Sequence, residues 1–267
     1  GLMCQSSGIA TKAARCRIAA GNLSLISFGA RRMHPTIAPM IDRAAYIGGC
    51  EGVALTAGAE LLNFPAAGTM PHSLVLLMGG LAPALKAFDE VIEPEVQRVA
   101  LVDTLGDEKF EALEAARAIA DRLFAVRLDT PSSRRGNFRE ILREVRWELD
   151  RAGYSHVKLF VSGGLDEDSI LELVGDVDGG FGVGTAMSSA ATIDFSMDIV
   201  EIEGEVVSKR GKASGPKNLL RCRECGGERV IPLDRAYGDC EECGGVMLQT
   251  LAPVMEEGKI IDPVPAP

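Results

Sequence analysis

Residues 124–164 read FAVRLDTPSSRRGNFREILREVRWELDRAGYSHVKLFVSGG, and this stretch alternates apolar and amphipathic segments. The apolar runs Phe124–Asp129 and Val157–Val161 have the length and composition of buried strands, and Phe138–Leu149 between them repeats apolar residues at helical spacing. This order of strand, helix and strand indicates a parallel sheet. The unit recurs along the chain, with further strands predicted at Leu23–Phe28, Val99–Asp103 and Gly180–Val183. An opening helix, which Gly21 can end, precedes the first of them. A further helix is predicted at Phe110–Leu123, with an apolar face formed by Phe110, Leu113, Ala116, Ala120 and Leu123.

Length and charge limit the classes of function. With 267 residues and 46% hydrophobic content, the chain can form one large core, or one core and a small appendage. Its net charge of −10 disfavours binding to nucleic acid or to an anionic membrane. The longest apolar stretch, Ser73–Leu85, is interrupted by glycine and proline and is shorter than the roughly 20 residues that span a bilayer. Because no secretory signal is recognised at the start of the sequence, we expect a cytoplasmic protein.

Polar and glycine-rich segments follow each predicted strand. In parallel α/β folds the carboxyl ends of the strands lie at one edge, where ligands bind, whether the sheet closes into a barrel or stays open. We therefore expect the chemistry at that rim, in the segments Gly29-Ala30-Arg31, Asp103-Thr104, Arg127 with Asp129, Ser162-Gly163-Gly164 and Gly182-Val183-Gly184-Thr185.

The composition changes after the last barrel strand. Residues 197–207 are predicted to form two antiparallel strands around the turn Glu203-Gly204, and basic residues become frequent from Lys209 onward. We predict three parts: an α/β catalytic domain at 1–208, a four-cysteine module at 209–250 and a tail at 251–267 whose proline-rich end is unstructured.

Four cysteines of the C-terminal part have the spacing of a zinc site. Cys222 and Cys225, and then Cys240 and Cys243, form two Cys-x2-Cys pairs, each followed by two glycines. Such pairs can present four thiolates tetrahedrally, and a site with four sulfur ligands is structural because no position is left for water. Two disulfides are the alternative. A small zinc-ribbon-like module is therefore predicted, whereas Cys4, Cys16 and Cys50 are expected to be buried as small hydrophobic residues.

Two segments near the amino end of the chain could bind a flat anionic substrate. Phe28-Gly29-Ala30-Arg31-Arg32-Met33-His34-Pro35 combines an aromatic ring for stacking with guanidinium groups for a carboxylate or phosphate, although it could equally be a solvated loop. His72 begins an apolar helix, where a histidine is often a cap or a core residue.

The later strand ends carry charges and glycines. Arg127 and Asp129 alternate and so point to the same side of their strand, either as part of a site or as a structural ion pair, and Asp103 has the same two interpretations. The turns Ser162-Gly163-Gly164 and Gly182-x-Gly184-Thr185 can bring backbone amides to a phosphate, although glycine-rich turns are common.

These segments together resemble the archaeal-type nicotinate phosphoribosyltransferases. The resemblance covers nearly the whole chain, from Ser7-Gly8-Ile9-Ala10-Thr11 to the four-cysteine tail, and its most specific parts are Val126–Asn137 and Phe160–Asp166. It implies an irregular, TIM-like α/β barrel with an antiparallel C-terminal extension. It also implies that nicotinate and phosphoribosyl pyrophosphate form nicotinate mononucleotide and pyrophosphate with ATP hydrolysis, in NAD salvage, with Mg²⁺ and structural Zn²⁺ and in a homodimer or higher homo-oligomer.

The resemblance assigns roles residue by residue. Phe28 would stack on the pyridine ring, Arg31 would contact the base and phosphates, and His72 would be phosphorylated by ATP. Asp103 would lie on the sugar and magnesium side. The implied catalytic residues are His72, Asp103, Arg127 and Asp129, and the implied substrate-binding residues are Phe28, Arg31, Arg32, His34, Thr69, Ser162, Gly163, Gly164, Gly182, Gly184 and Thr185.

Two features bear on the choice of base and on rival functions. Relatives that use nicotinamide carry an aspartate after an Asn-Phe pair, whereas Asn63-Phe64-Pro65-Ala66-Ala67-Gly68 has no carboxylate, which favours an acidic base. Quinolinate or nicotinamide phosphoribosyltransferase activity is the nearest alternative, and a non-catalytic zinc-containing binding module is the alternative from another class. Family members carry an N-terminal domain ahead of the barrel that is not in this sequence, so we expect residues 1–267 alone to be poorly active.

Overall fold

The computed structural model describes residues 1–64, 66–68 and 70–261. These residues form two compact units, Gly1–Asp194 and Phe195–Pro267. The predicted division into 1–208, 209–250 and 251–267 stays a prediction, and the proline-rich end of the tail lies outside the described residues. Among the described residues, no helix has both the length and the hydrophobicity that a membrane crossing requires.

A six-stranded parallel sheet forms the centre of the first unit. Its strands pair in the order β2-β1-β6-β5-β4-β3, and the sheet curls as a half-barrel, which confirms the predicted parallel α/β fold. The inner strands are buried on both faces, as β6 shows with four buried residues of four. The strands are β1 (Ser24–Ser27), β2 (Gly52–Val53), β3 (Arg98–Leu101), β4 (Leu123–Leu128), β5 (Lys158–Ser162) and β6 (Gly180–Val183).

Helices connect the strands. The opening helix ends at Ala20, and the next residue, Gly21, has a φ of 59°, a positive value that glycine adopts without strain. Short 3-10 turns occur at Ala30–Arg32, Ala120–Arg122 and Val174–Asp176. The helices are α1 (Leu2–Ala20), α2 (Ala38–Ile47), α3 (Thr56–Leu62), α4 (His72–Leu77), α5 (Leu81–Val91), α6 (Glu108–Ile119), α7 (Ser132–Arg135), α8 (Phe138–Arg151), α9 (Glu167–Leu173) and α10 (Thr185–Ser188).

The sequence prediction for α6 was wrong in its boundaries and in part of its buried face, although Ala116 is buried and Leu113 packs against the core as predicted. The helix begins at Glu108 rather than Phe110, and Leu123 belongs to β4. Phe110 is 65% exposed, whereas Glu111 is 4% exposed and packs with the small residues Ala112, Ala115 and Ala116. Glu111 is buried because its carboxylate accepts backbone hydrogen bonds from the loop before the helix, which offset the cost of removing its charge from water.

The second unit contains antiparallel strands. Strands β7 (Glu201–Ile202) and β8 (Glu205–Val206) form the hairpin predicted around Glu203-Gly204. Strands β9 (Lys217–Cys222), β10 (Glu228–Pro232) and β11 (Met247–Gln249) form a sheet with β9 in the middle, and β12 (Met255–Glu256) pairs with β13 (Lys259–Ile260). Its small core consists of Leu220, Cys222, Ile231, Cys240 and Met247.

Candidate active site

His72 lies between two carboxylates at the carboxyl edge of the sheet. It is the first residue of α4, and Asp103 and Asp129 follow β3 and β4. His72 Nε2 lies 3.5 Å from Asp129 Oδ2 and 3.8 Å from Asp103 Oδ1, and on the other side of the ring Nδ1 lies 2.9 Å from Thr104 Oγ1. The backbone N–H of Asp129 donates to Asp103 Oδ2 at 3.0 Å. Residues from three separate segments of the sequence therefore meet at one point.

The charges in this cluster perturb one another. The hydrogen bond with Asp129 raises the pKa of His72 above its ordinary value, against the opposing effect of burial. Burial raises the pKa of Asp103 to about 6, although the charge of His72 acts in the opposite direction. Burial also acts to raise the pKa of Asp129, but hydrogen bonds from His72 and Ser162 lower it overall. The cluster thus combines a carboxylate, a readily protonated imidazole and a carboxyl group that titrates near neutrality.

Phe28 and Arg127 form the neighbouring part of the rim. Phe28 follows β1 and donates its backbone N–H to Val183 O at 2.8 Å. The guanidinium of Arg127 lies 5.4 Å from the centre of the Phe28 ring, within the range of a cation–π contact. A Cβ at Gly182 would overlap the Phe28 ring, so glycine leaves the space that the ring occupies. Gly184 lies beside the backbone of Phe28, and a Cβ there would be 3.6 Å from Phe28 O.

The remaining residues of the predicted binding segments are more exposed. Arg31 and Arg32 lie in the exposed 3-10 turn after Phe28, and the charge of Arg31 is close enough to act, after burial and the two aspartates, on the pKa of Arg127. His34 is exposed, and its Nδ1 accepts a hydrogen bond from Thr36 N–H at 3.2 Å. Thr185 is the exposed first residue of α10. Thr69 lies outside the described residues.

The turn after β5 packs against Asp129. Ser162 is 2% exposed and donates its hydroxyl hydrogen to Asp129 Oδ1 at 2.7 Å. Gly163 and Gly164 follow with φ angles of 83° and 64°, and a Cβ at Gly163 would lie 2.9 Å from Asp129 Oδ1. Both glycines are therefore in conformations that side-chain-bearing residues rarely adopt, and the first is also in close contact with the carboxylate.

Comparison with known proteins assigns the chain to a family. The sequence profile of the quinolinate phosphoribosyl transferase C-terminal domain matches residues 9–198. The chain belongs to this family. A solved structure of the nicotinate-nucleotide pyrophosphorylase from Pyrococcus furiosus superimposes with a TM-score of 0.92 at 55% identity, covering 98% of this chain and 67% of that one. The human nicotinic acid phosphoribosyltransferase structure, at 18% identity with a TM-score of 0.71 and covering 98% of this chain and 66% of that one, shares the fold.

Curated relatives of this family member include nicotinate phosphoribosyltransferases. A nicotinate phosphoribosyltransferase of Mycobacterium tuberculosis is 36% identical over 228 residues, which cover 80% of this chain and 49% of the relative. The nicotinate phosphoribosyltransferase of Bacillus subtilis is 30% identical over 224 residues, covering 79% of this chain and 44% of the relative. The chain spans about half the length of the curated relatives it matches.

In this family member, α6 holds two loops of the rim with carboxylates that the sequence analysis did not select. Glu111 accepts from the N–H groups of Thr104, Leu105 and Gly106, at 3.0, 2.8 and 2.7 Å. Glu108 is 2% exposed and accepts from the Thr130 hydroxyl at 3.0 Å. The sequence does contain an indication of these two buried carboxylates, because Glu108 and Glu111 are three positions apart and share the helix face that carries Ala112, Ala115 and Ala116.

Two arginines of the loop after β4 were also missed as site residues. Arg134 donates to the two carboxylate oxygens of Glu108 from Nε at 3.3 Å and from Nη2 at 3.2 Å. Arg135 donates to the carbonyl oxygens of Thr130, Ser162 and Gly163. Both lie in the Val126–Asn137 segment that carries the family resemblance, but their partners Glu108, Ser162 and Gly163 are distant in sequence, so these contacts cannot be derived from the sequence.

The four cysteines of the second unit come together as their spacing predicted. Their Sγ atoms all lie within 4.8 Å of one another, and two of the separations are 3.5 Å for Cys222–Cys243 and 3.7 Å for Cys225–Cys240. Zinc–sulfur bonds of about 2.3 Å in a tetrahedron require sulfur atoms about 3.8 Å apart. The arrangement therefore fits one zinc ion, which Cys222, Cys225, Cys240 and Cys243 would hold.

Proposed function

We propose that this chain is the catalytic barrel of a nicotinate phosphoribosyltransferase of the archaeal, zinc-tailed type, which makes nicotinate mononucleotide for NAD salvage. The arrangement of His72 between Asp103 and Asp129 carries the proposal, because it provides acid–base and charge-stabilising groups at one point of the rim. Relatives named nicotinate phosphoribosyltransferase at 30–36% identity support the choice of reaction. Quinolinate and nicotinamide are the alternative bases.

The transfer breaks the bond between the anomeric carbon and the pyrophosphate oxygen and forms a bond from that carbon to the pyridine nitrogen. Pyrophosphate leaves with the electron pair, and the sugar becomes positively charged in the transition state. Fixed negative groups stabilise such a charge more effectively than solvent does. Asp129 is suited to this role because its pKa is lowered, so it is ionised at neutral pH. Arg127, buried beside it, would bind the leaving pyrophosphate or the ribose.

His72 would accept a phosphoryl group from ATP. The two carboxylates near Nε2 favour a proton on that nitrogen, so in the neutral ring Nδ1 carries the lone pair and accepts the hydroxyl hydrogen of Thr104. Once the Thr104 hydroxyl releases this hydrogen bond, the Nδ1 lone pair would attack the terminal phosphorus of ATP, the bond from that phosphorus to the bridging oxygen would break, and ADP would leave. Later hydrolysis of the phosphohistidine releases phosphate. Asp103 and Asp129 would stabilise the positive charge that develops on the ring.

Phe28 and Arg31 would recognise the base. The ring of Phe28 lies at the rim beside Gly182 and Arg127, and it would stack on the pyridine ring of the substrate. Arg31 follows in an exposed turn, where its guanidinium can bind the nicotinate carboxylate in a bidentate manner. Arg32, His34, Thr69, Gly184 and Thr185 complete the proposed binding residues, and the turn Ser162-Gly163-Gly164 with Gly182 would receive the 5′-phosphate.

Asp103 is the residue best suited to hold magnesium. Its side chain is 2% exposed, and Oδ1 has no hydrogen-bond partner within the described part of the chain. A buried carboxylate oxygen in this state fits a hard cation that prefers oxygen ligands. Magnesium neutralises the pyrophosphate leaving group when it is bound.

A base-selectivity assay tests the proposal. The complete encoded protein is supplied with phosphoribosyl pyrophosphate, MgATP and nicotinate, quinolinate or nicotinamide in separate reactions. We expect nicotinate mononucleotide and pyrophosphate in equal amounts from nicotinate. A His72→Ala variant should lose the stimulation of the reaction by ATP. Product from nicotinamide or quinolinate, with none from nicotinate, would overturn the assignment of the base.

We also propose that the cysteine cluster of the second unit holds one structural zinc ion. Metal analysis of the purified protein should give about one zinc per chain, the content of a single four-sulfur site. Cys222→Ser should remove it, whereas Cys4→Ser in the first unit should not. Equal zinc content in both variants would contradict the proposed site. The predicted cytoplasmic location and the homodimer or higher homo-oligomer stay predictions.

A further inference from the structure

Arg135 joins two loops of the rim that belong to different strands. It is the last residue of α7, in the loop after β4, and its Nε donates to Thr130 O of the same loop at 2.7 Å. Its Nη2 donates to Ser162 O at 3.0 Å and also to Gly163 O, both in the turn after β5. One guanidinium therefore binds three carbonyl oxygens, and two of them are in the turn that packs against Asp129.

The anchoring side of this contact is well fixed. Thr130 is fully buried, and its hydroxyl donates to the buried carboxylate of Glu108 at 3.0 Å. The guanidinium of Arg135 also lies 4.6 Å from the centre of the Phe138 ring, which is 7% exposed. Arg135 is thus held by the backbone of the buried Thr130 and by the buried ring of Phe138, and it can transmit that fixed position to the turn after β5.

The turn after β5 depends on such support. Ser162 contacts Asp129 through its hydroxyl. A Cβ added at Gly163 would lie 2.9 Å from Asp129 Oδ1 and 3.3 Å from Arg135 Nη2. The glycine backbone is thus in close contact with Asp129 and Arg135. Because consecutive glycines impose little conformational restriction of their own, the position of this turn has to come from its partners.

We propose that Arg135 is a positioning residue that sets the Ser162–Gly164 turn relative to Asp129, and thereby the site for the phosphorylated sugar. It acts through the backbone carbonyl oxygens, without itself contacting the reacting atoms. The planar guanidinium is needed because a lysine ammonium supplies a single point of charge and cannot reach carbonyl groups of two loops in a fixed geometry. The inference rests on the proposed function, in which this turn and Asp129 bind phosphoribosyl pyrophosphate.

Arg135→Gln and Arg135→Lys in the complete encoded protein test this role. The Kd for phosphoribosyl pyrophosphate is measured by calorimetry, and the KM values for phosphoribosyl pyrophosphate and nicotinate are measured separately. We expect Arg135→Gln to weaken binding of phosphoribosyl pyrophosphate by about tenfold or more, the size expected from losing charged hydrogen bonds, with the KM for nicotinate nearly unchanged. Arg135→Lys should be intermediate, and added guanidinium ion should partly restore binding to Arg135→Gln.

Arg139→Gln is the matched control. Arg139 is an arginine of α8 near Arg135 in sequence, and it pairs with Asp176 at 2.7 Å on an exposed surface. The Arg139→Gln variant should leave both KM values unchanged. Equal binding of phosphoribosyl pyrophosphate by Arg135→Gln and the wild type would overturn the inference, as would an equal rise in both KM values. A wild type that neither binds phosphoribosyl pyrophosphate nor forms product would instead refute the proposed function.

Discussion

Asp42 is a buried carboxyl group that contacts the end of β1 next to Phe28. It lies on α2 with no exposed surface, and its two oxygens accept from the Ser27 hydroxyl and from Leu55 N–H, each at 3.3 Å. Burial raises the pKa of Asp42 from 3.8 to about 6, although the two hydrogen bonds act in the opposite direction. Ser27 immediately precedes Phe28, so this hydrogen bond joins Asp42 to the strand end that carries the aromatic ring.

The raised pKa of Asp42 gives a prediction of pH-dependent stability. Below the unfolded pKa the group is protonated in both states. Between pH 3.8 and about 6 the carboxyl group is ionised in the unfolded chain but still protonated in the folded chain, so stability falls as the pH rises through this range. The loss is on the order of 3 kcal/mol, since one pKa unit corresponds to about 1.4 kcal/mol. Asp42→Asn should remove the part of this loss that Asp42 causes, because an amide does not titrate in this range, and the amide can still accept from Leu55 N–H and donate to the Ser27 hydroxyl.

Thermal unfolding between about pH 4 and pH 7, the range spanned by ordinary and raised carboxyl pKa values, measures this effect. Trp147 is the single tryptophan and lies in the first unit, so its fluorescence reports that unit. Asp168→Asn, at an exposed carboxylate, is the control and should retain the wild-type pH dependence. If Asp42→Asn retains that dependence as well, Asp42 does not cause it.

At the scale of the element, α6 shows where sequence reasoning succeeded and where it failed. The helix was predicted because its residues recur at helical spacing, but the choice of Phe110 for the buried face assumed that large apolar residues are inside. The structure instead buries Glu108 and Glu111, because backbone N–H groups and hydroxyls of two adjacent loops supply their hydrogen bonds. Those loops are distant in sequence from one another, so hydrophobic periodicity contains no information about them.

The buried face of α6 predicts different effects on the free energy of unfolding for substitutions at the neighbouring residues Glu111 and Phe110. Glu111→Gln places an amide group against the N–H groups of residues 104–106, and we expect it to cost about 1.5–3 kcal/mol of the free energy of unfolding. Phe110→Ser changes an exposed side chain and should alter stability by about 0.5 kcal/mol or less. Denaturant titration of both variants measures the difference. A larger loss for Phe110→Ser than for Glu111→Gln would mean that the predicted face was correct.

In the whole molecule, the sequence was sufficient to predict the parallel α/β architecture and the convergence of several candidate site residues at one edge of the sheet. Strand ends that carry Asp103, Asp129 and Ser162 were expected at one edge, and the parallel sheet brings them there. The cysteine pairs were likewise sufficient to predict a cluster. The loop connections through Glu108, Glu111 and Arg135 could not be predicted, because each joins segments from different strand–helix units and depends on the packed fold.

We propose that residues at the carboxyl edge of this sheet transfer a phosphoribosyl group with the help of Asp129. The most direct test is the kcat for nicotinate mononucleotide formation by Asp129→Asn in the complete encoded protein, compared with the exposed-site control Asp168→Asn. We predict a fall of about a hundredfold or more for Asp129→Asn, the size typical for removing a group that stabilises transition-state charge, and no change for the control. A folded Asp129→Asn variant with wild-type kcat would contradict the account.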